Sequence, residues 1–284
     1  MVIQSHRGPY TVDFDDDALA HLDADVPAGA HFLVDARVAE LHGADLRRVL
    51  ASRSVLTIEA TEAAKSLDRF PAYVERLVER GVRRGHVLVV VGGGITQDIA
   101  CFLAATLLRG LEWRFYPTTL LAQADSCIGS KSSINVGEIK NVLGTFTPPS
   151  RIVIGGRVLA TLDERDLRSG IGEMLKVHAI AGPDAFDRIA ADYPRLLSDP
   201  ALLRSYIRAS LEIKRRIIEE DECDRGIRNV MNYGHSFGHA IESATAYAVP
   251  HGIAVTIGMD MANYTAVWLG RMGREHFERM HPTL

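Results

Sequence analysis

Two histidines stand four residues apart in Asn232-Tyr-Gly-His-Ser-Phe-Gly-His239, and His251-Gly252 follows after a short gap. On a helix, residues at that spacing lie one turn above the other, so His235 and His239 project from one face. His251 is near enough in sequence to fold back onto that face. Upstream, Gly172-Glu173-Met-Leu-Lys176 puts a carboxylate and an amine on one side of another helix. Imidazoles plus a carboxylate oxygen suit Zn²⁺ with one position left open for substrate, which is the pattern of a catalytic metal site. A lone His-x-x-x-His pair is more often two ordinary surface histidines. The company here argues otherwise: Asn232, Gly234, Gly238 and Gly252 lie beside the histidines. Glycine in a helix costs about 1 kcal/mol relative to alanine, so its repeated use predicts close backbone approach.

A second cluster is Val87-Leu-Val-Val-Val-Gly92-Gly-Gly94-Ile-Thr-Gln-Asp98. An unbroken aliphatic run reads as a strand buried on both faces, as in a parallel sheet. Three glycines and a helix N-terminus then form a ready anion site, although the Gly-x-Gly-x-x-Gly spacing is absent. A third cluster runs from Tyr116-Pro-Thr118-Thr119 through Asp125, Cys127 and Lys131 to Lys140-Asn141. Hydroxyls, amides, a carboxylate and two amines in a loop-rich stretch look like the lining of a pocket for a polyhydroxylated, phosphorylated ligand.

These clusters, in this order, resemble the 3-dehydroquinate synthase family, the NAD- and metal-dependent sugar phosphate cyclases. The likeness runs from about Val34 to Tyr264 and is carried by Gly92-Gly-Gly-Ile-Thr-Gln-Asp98, Pro117-Thr-Thr-Leu-Leu-Ala-Gln-Ala-Asp125, Gly172-Glu-Met-Leu-Lys176 and Asn232 to Glu242. The resemblance implies a metal, Zn²⁺ or Co²⁺, held by Glu173, His235 and His251. It makes His239 a substrate-facing histidine, where spacing alone would also make it a ligand. It implies substrate contacts from Asp125, Lys131, Asn141, Lys176, Lys214, Arg228 and Asn232. Arg109 is implied to reach the phosphate of a neighbouring subunit, hence a homodimer. NAD contacts are implied at Asp35, Glu62, Lys65, Gly93, Gly94, Asp98, Thr118, Thr119 and Lys140, with Thr161 and Leu162 near the domain hinge. Asp35 also fits from its own position, since a carboxylate at a strand end can bond a ribose hydroxyl.

The implied reaction is a transient oxidation by NAD⁺, elimination of phosphate, re-reduction and an intramolecular aldol closure to a carbocycle. The expected substrate is 3-deoxy-arabino-heptulosonate 7-phosphate, which would place the enzyme in the shikimate pathway of aromatic amino acid biosynthesis. Departures from the family pattern cluster around the substrate. Ser130 stands in a usual Gly-Gly-Lys, Ile134-Asn135-Val136 replaces Val-Asn-His, Gln97 replaces a glycine, and Ile253 replaces a glutamate. Sedoheptulose 7-phosphate or glucose 6-phosphate is therefore an alternative substrate. A metal-dependent polyol dehydrogenase and an inactive homologue are the other readings. Family members continue for several helices beyond His281-Pro-Thr-Leu284, so the chain is either a short relative or a truncated one.

The elements that must position these groups follow from the rest of the sequence. Short apolar runs at His31 to Val34, Val55 to Ile58, Val87 to Val91 and Arg151 to Ile154 read as strands. Helical patterns over Ala63 to Arg80 and Ile99 to Leu108 alternate with them, which argues for parallel βαβ units. From Leu162 onward helical patterns dominate, including Arg204 to Glu220 and Phe237 to Ala246. The expectation is an α/β, Rossmann-like parallel-sheet NAD domain over 1–160 and an all-α metal and substrate domain over 161–284, with the active site in the cleft between them. With 284 residues and 47% hydrophobic content the chain can bury a sizeable core, and its net charge of −4 gives no support to a nucleic-acid partner. Cys101, Cys127 and Cys223 have no metal or redox spacing. No secretory signal or long charge-free apolar run is present, so a soluble cytoplasmic protein without membrane contact is expected.

Overall fold

The computed structural model describes residues 1–284 and divides into two compact units, Met1–Thr161 and Leu162–Leu284. The first unit is built on nine strands: β1 (Val2–Ile3), β2 (Tyr10–Phe14), β3 (Ala30–Asp35), β4 (Val55–Ile58), β5 (Val87–Gly92), β6 (Glu112–Pro117), β7 (Ile134–Val136), β8 (Ile139–Leu143) and β9 (Arg151–Ile154). Seven form one sheet in the order β1-β2-β9-β6-β5-β3-β4, parallel throughout except for β1 at the edge. Inside it lies β5, between β6 and β3, whose residues are all buried, as expected for a strand covered on both faces. The helices of this unit are α1 (Ala18–Ala24), α2 (Ala36–Leu41), α3 (Arg47–Leu50), α4 (Phe70–Glu79) and α5 (Gly94–Thr106).

The chain runs from β3 outward to β4, then returns to the other side of β3 to make β5. That reversal is a topological switch point, where the carboxyl ends of neighbouring strands leave a crevice. Asp35 ends β3 and the Gly92–Gly94 turn follows β5, so both flank it. At the end of β6, the Thr118 N–H donates to the Gly92 carbonyl at 2.9 Å and ties the Thr118–Thr119 turn to the glycines.

Three local expectations change. The helix expected over Ala63 to Arg80 is broken: 3₁₀ turns cover Glu62–Lys65 and Leu67–Arg69, and only α4 is α-helical. Ser66 between them is extended because its backbone bridges to Asn135. The segment read as loop-rich contains a π-helical turn at Ala122–Ser126 and the antiparallel hairpin β7–β8. The strand β6 was not foreseen, since Glu112 and Arg114 interrupt its apolar residues.

The second unit is helical: α6 (Glu164–Ala181), α7 (Pro183–Asp192), α8 (Pro200–Glu220), α9 (His235–Ala244), α10 (His251–Trp268) and α11 (Arg274–Met280). Side chains start two of these helices, Asp163 accepting from Asp166 N at 2.8 Å and Asp199 from Leu202 N at 3.0 Å. Glycines set the helix packing. A Cβ on Gly172 or Gly252 would run into the backbone carbonyl of Gly252 or Ser169 respectively, so α6 and α10 cross at backbone contact. A Cβ on Gly238 would lie 3.1 Å from Val255, and Gly258 packs on the Gly234 carbonyl, which brings α9 onto α10 in the same way. The glycines beside the histidines therefore serve helix-to-helix approach. Gly234 has φ +79° as well, which a side chain would resist.

Candidate active site

The α6–α10 crossing sets Glu173 beside His251, and the α9–α10 contact sets His235 beside both. One ligand atom from each of Glu173, His235 and His251 falls within 4.8 Å of the others. Both imidazoles turn Nε2 to the same carboxylate oxygen: Glu173 Oε1 is 3.4 Å from His251 and 3.9 Å from His235. Each ring commits Nδ1 elsewhere, His235 to the Tyr233 carbonyl at 3.2 Å and His251 to Glu242 Oε2 at 3.2 Å. A ring that donates from Nδ1 keeps its Nε2 lone pair for a metal. Two such nitrogens and a carboxylate 1% exposed form a donor set that fits a tetrahedral divalent cation with an open position.

At His235 electrostatics support that fit. Burial, followed by the charges of Lys176 and His251, lowers the His235 pKa to about 3, so this imidazole is neutral at pH 7. Burial opposes charge on His251 as well, but the Glu242 hydrogen bond and the Glu173 carboxylate outweigh it and raise its pKa. Burial and the His251 charge lower the pKa of His239. His239 lies on the exposed side, edge-on to His235 with centroids 5.3 Å apart and stacked on His251 at 5.9 Å. His239, Glu242 and His251 form a second group with ligand atoms within 4.8 Å. Glu242 was passed over at the sequence level. Its spacing of i+7 from His235 puts it on the histidine face of α9 and could have found it.

Lys176, one turn after Glu173, is buried and pairs with its carboxylate. Lys214 on α8 and Arg228 are buried too, the latter donating its backbone N–H to Asp221 at 3.1 Å and its guanidinium to the Glu222 carbonyl. Buried cations are rare, and three in one unit are apt for holding an anion. Asn232 is exposed at the end of the 3₁₀ turn Ile227–Asn232. Leu162 opens this unit.

In the first unit the structure joins several expected residues into one network. Lys65 Nζ lies 3.1 Å from Asp98 Oδ2, 2.9 Å from Asn141 Oδ1 and 3.5 Å from Glu62. Lys140 is 3.9 Å from Glu62, and Asn135 bridges the set, donating to Glu62 at 2.9 Å and accepting from the Asn141 N–H at 2.9 Å. Asn141, expected at the substrate, is thus bonded to residues expected at NAD. Burial raises the Asp98 pKa to about 6, with Lys65 opposing. Next to this network lies an open cavity of about 550 Å³ lined by Glu62, Ser66, Arg69, Asn135 and Lys140 among others.

The remaining positions spread along the sheet. Gly93 precedes α5 with room for no side chain, a Cβ there meeting Thr119 at 2.8 Å, and Gly94 is its first residue. Thr119 accepts from Ala122 N at 3.2 Å. Asp35 is half-buried and spends one oxygen on capping α2 through Arg37 N at 2.9 Å. Asp125 is buried in the π-helical turn, and Lys131 is half-buried on a bridge to Phe146. Thr161 donates its hydroxyl to the Val158 carbonyl and accepts from His42 at 2.9 Å, at the end of the unit. Arg109 is exposed and lies apart from these, just before β6, at the amino-terminal ends of the strands, whereas the glycine turn is at their carboxyl ends.

Comparison with known proteins agrees over most of the chain. Residues 55–169 match the family model described as 3-dehydroquinate synthase N-terminal, and residues 170–284 the one described as 3-dehydroquinate synthase C-terminal. The 3-dehydroquinate synthase of Cereibacter sphaeroides is 39% identical over 258 residues, covering 89% of this chain and 70% of that protein. Among solved structures, a 2-epi-5-epi-valiolone synthase from Streptomyces hygroscopicus with NAD⁺ and Zn²⁺ bound is 29% identical, with TM-score 0.84 over 96% of this chain and 79% of its own. A 2-deoxy-scyllo-inosose synthase complexed with carbaglucose-6-phosphate, NAD⁺ and Co²⁺ shares the fold at TM-score 0.87 and 23% identity, covering 100% of this chain and 80% of its own.

Proposed function

The chain belongs to the 3-dehydroquinate synthase family, and from that premise we propose that it closes 3-deoxy-arabino-heptulosonate 7-phosphate into a carbocycle, with loss of phosphate, as a cytoplasmic homodimer of the shikimate pathway. It is an enzyme of the carbon–oxygen lyase type, a sugar phosphate cyclase that uses NAD and a divalent metal. The observation that carries the site assignment is the convergence of His235 and His251 Nε2 on Glu173. In our reading these three hold the metal, and Asp35, Glu62, Lys65, Gly93, Gly94, Asp98, Thr118, Thr119, Lys140, Thr161 and Leu162 hold NAD. When bound, NAD takes up and returns a hydride while the metal polarises the oxygen at the oxidised carbon.

The chain's own groups do the rest. Lys176, Lys214 and Arg228 bind the anionic oxygens of the substrate, with Lys131, Asn141, Asn232 and Asp125 orienting its hydroxyls. Arg109 serves the phosphate of a partner subunit. His239, exposed beside the two ligand histidines and held below the usual histidine pKa, is neutral at pH 7 and placed to accept a proton. Three buried cations favour a phosphorylated substrate over a simple polyol.

Inorganic phosphate release, measured with NAD⁺, Zn²⁺ or Co²⁺ and each of 3-deoxy-arabino-heptulosonate 7-phosphate, sedoheptulose 7-phosphate and glucose 6-phosphate, tests this reading. Release from the first, requiring both cofactors, is the expected result. Release from another sugar instead would move the substrate and keep the chemistry, and hydride transfer without phosphate release would overturn both.

A further inference from the structure

We propose that Glu242 is a positioning residue for the metal, fixing the His251 ring so that Nε2 faces Glu173. The inference rests on the reading of Glu173, His235 and His251 as metal ligands. His235, His239 and Glu242 occupy successive turns of one face of α9, and that face meets the first residue of α10, His251. Glu242 is 13% exposed and its Oε2 is 3.2 Å from His251 Nδ1, while the opposite nitrogen of the same ring is 3.4 Å from Glu173 Oε1. The imidazole is thus strung between two carboxylates. A ring held only through its Cβ can turn about two side-chain torsions and present either nitrogen. By accepting a hydrogen bond from Nδ1–H, Glu242 selects the tautomer with a lone pair on Nε2 and holds the ring plane. His235 achieves the same with a backbone carbonyl, which carries no net charge. Glu242 adds a negative charge that makes the His251 nitrogen a stronger donor. Its reach depends on the glycine-mediated contact of α9 with α10, so the helix packing and the metal's outer shell form one device.

Zinc affinity, measured by competition with a chromophoric chelator, separates the possibilities for wild type, Glu242→Gln, Glu242→Ala and His251→Ala. Carboxylates behind metal-bound histidines are worth about 10- to 100-fold in affinity, so Glu242→Gln should weaken zinc by that factor with one equivalent still bound at saturation. Glu242→Ala should weaken it at least as much. The Co²⁺-loaded variants should show shifted d–d absorption, which loss of packing alone would not produce while far-ultraviolet circular dichroism stays unchanged. Wild-type affinity and an unshifted Co²⁺ spectrum in both Glu242 variants would overturn the proposal. So would two equivalents in the wild type with one lost on Glu242→Gln, which would make Glu242 a ligand of a second ion. His251→Ala is the control for the premise: full zinc retention there overturns the metal triad itself, whereas loss there beside unchanged Glu242 variants overturns only the role of Glu242.

Discussion

His235 and His251 are neighbours with opposite proton affinities, because His235 meets burial and the Lys176 charge while His251 is held between two carboxylates. This has a consequence for the metal-free protein. The pKa of His235 is about 3 in the fold, against the 6.5 of an unperturbed histidine, so the unfolded chain takes the proton first. Its contribution to stability is complete above pH 6.5 and is lost as pH falls from there toward 3. Between pH 7 and 5 that loss is about 2 kcal/mol from this one group. Urea unfolding of metal-free wild type and His235→Asn at both pH values should therefore show the wild type losing about 2 kcal/mol more than the variant. Equal losses would mean that His235 is not held neutral. At this scale the sequence was readable where spacing sufficed: His235 and His239 share a face because α9 is a helix. It was not readable where partnership crosses elements. Nothing in the local sequence tells that Asn141 meets Lys65.

Elements turn that spacing into a site. Glu173 and His251 are in different helices, and they meet because Gly172 and Gly252 let α6 and α10 touch. Gly252→Ala should push the helices apart at a cost of about 1–3 kcal/mol, typical of overpacking. Because the same crossing sets the ligand distances, zinc affinity should fall together with the melting temperature. Thermal unfolding and chelator competition on one variant check the pair, and a lowered melting temperature with unchanged zinc affinity would uncouple packing from the site. A second element-level device is the reciprocal bond between Gln97 and Ser126, Nε2 to the Ser126 carbonyl at 2.7 Å and Ser126 Oγ to Oε1 at 2.8 Å. It staples α5 to the π-helical turn carrying Asp125. Gln97→Ala should raise the sugar phosphate KM about five-fold, the equivalent of about 1 kcal/mol, with NAD affinity retained. A fall in NAD affinity with unchanged KM would instead assign the staple to the cofactor side. The strand β5 and helix α8 were legible from unbroken or periodic apolar runs. By contrast β6 alternates Glu112 and Arg114 with Trp113 and Phe115, a half-exposed pattern inside a parallel sheet, and the break at Ser66 answers to a tertiary bridge that no local propensity reports.

In the proposed homodimer, Arg109 belongs to the scale of subunit association. It is exposed on a 3₁₀ turn, with Leu108 and Arg109 both left-handed at φ 54° and 67°, a conformation that bulky residues adopt only when the surroundings require it. The turn lies before β6, so the length of that strand separates Arg109 from the Pro117–Thr119 end of the sheet and from anything bound at the glycine turn. A strand of six residues spans about 20 Å, well beyond an arginine's reach. If Arg109 binds phosphate as proposed, that phosphate lies on another chain, and in the proposed homodimer each subunit then completes its partner's site. Active-site complementation tests this directly. Arg109→Ala should lose most phosphate release, and His251→Ala should lose all of it with its metal. In a heterodimer of the two, one site would receive both defects and the other neither. Random mixing through a cycle of dissociation and reassociation should therefore restore about a quarter of wild-type activity from two impaired parents. If Arg109 acted within its own chain, every site in the mixture would carry one defect and the activity would stay at the average of the parents.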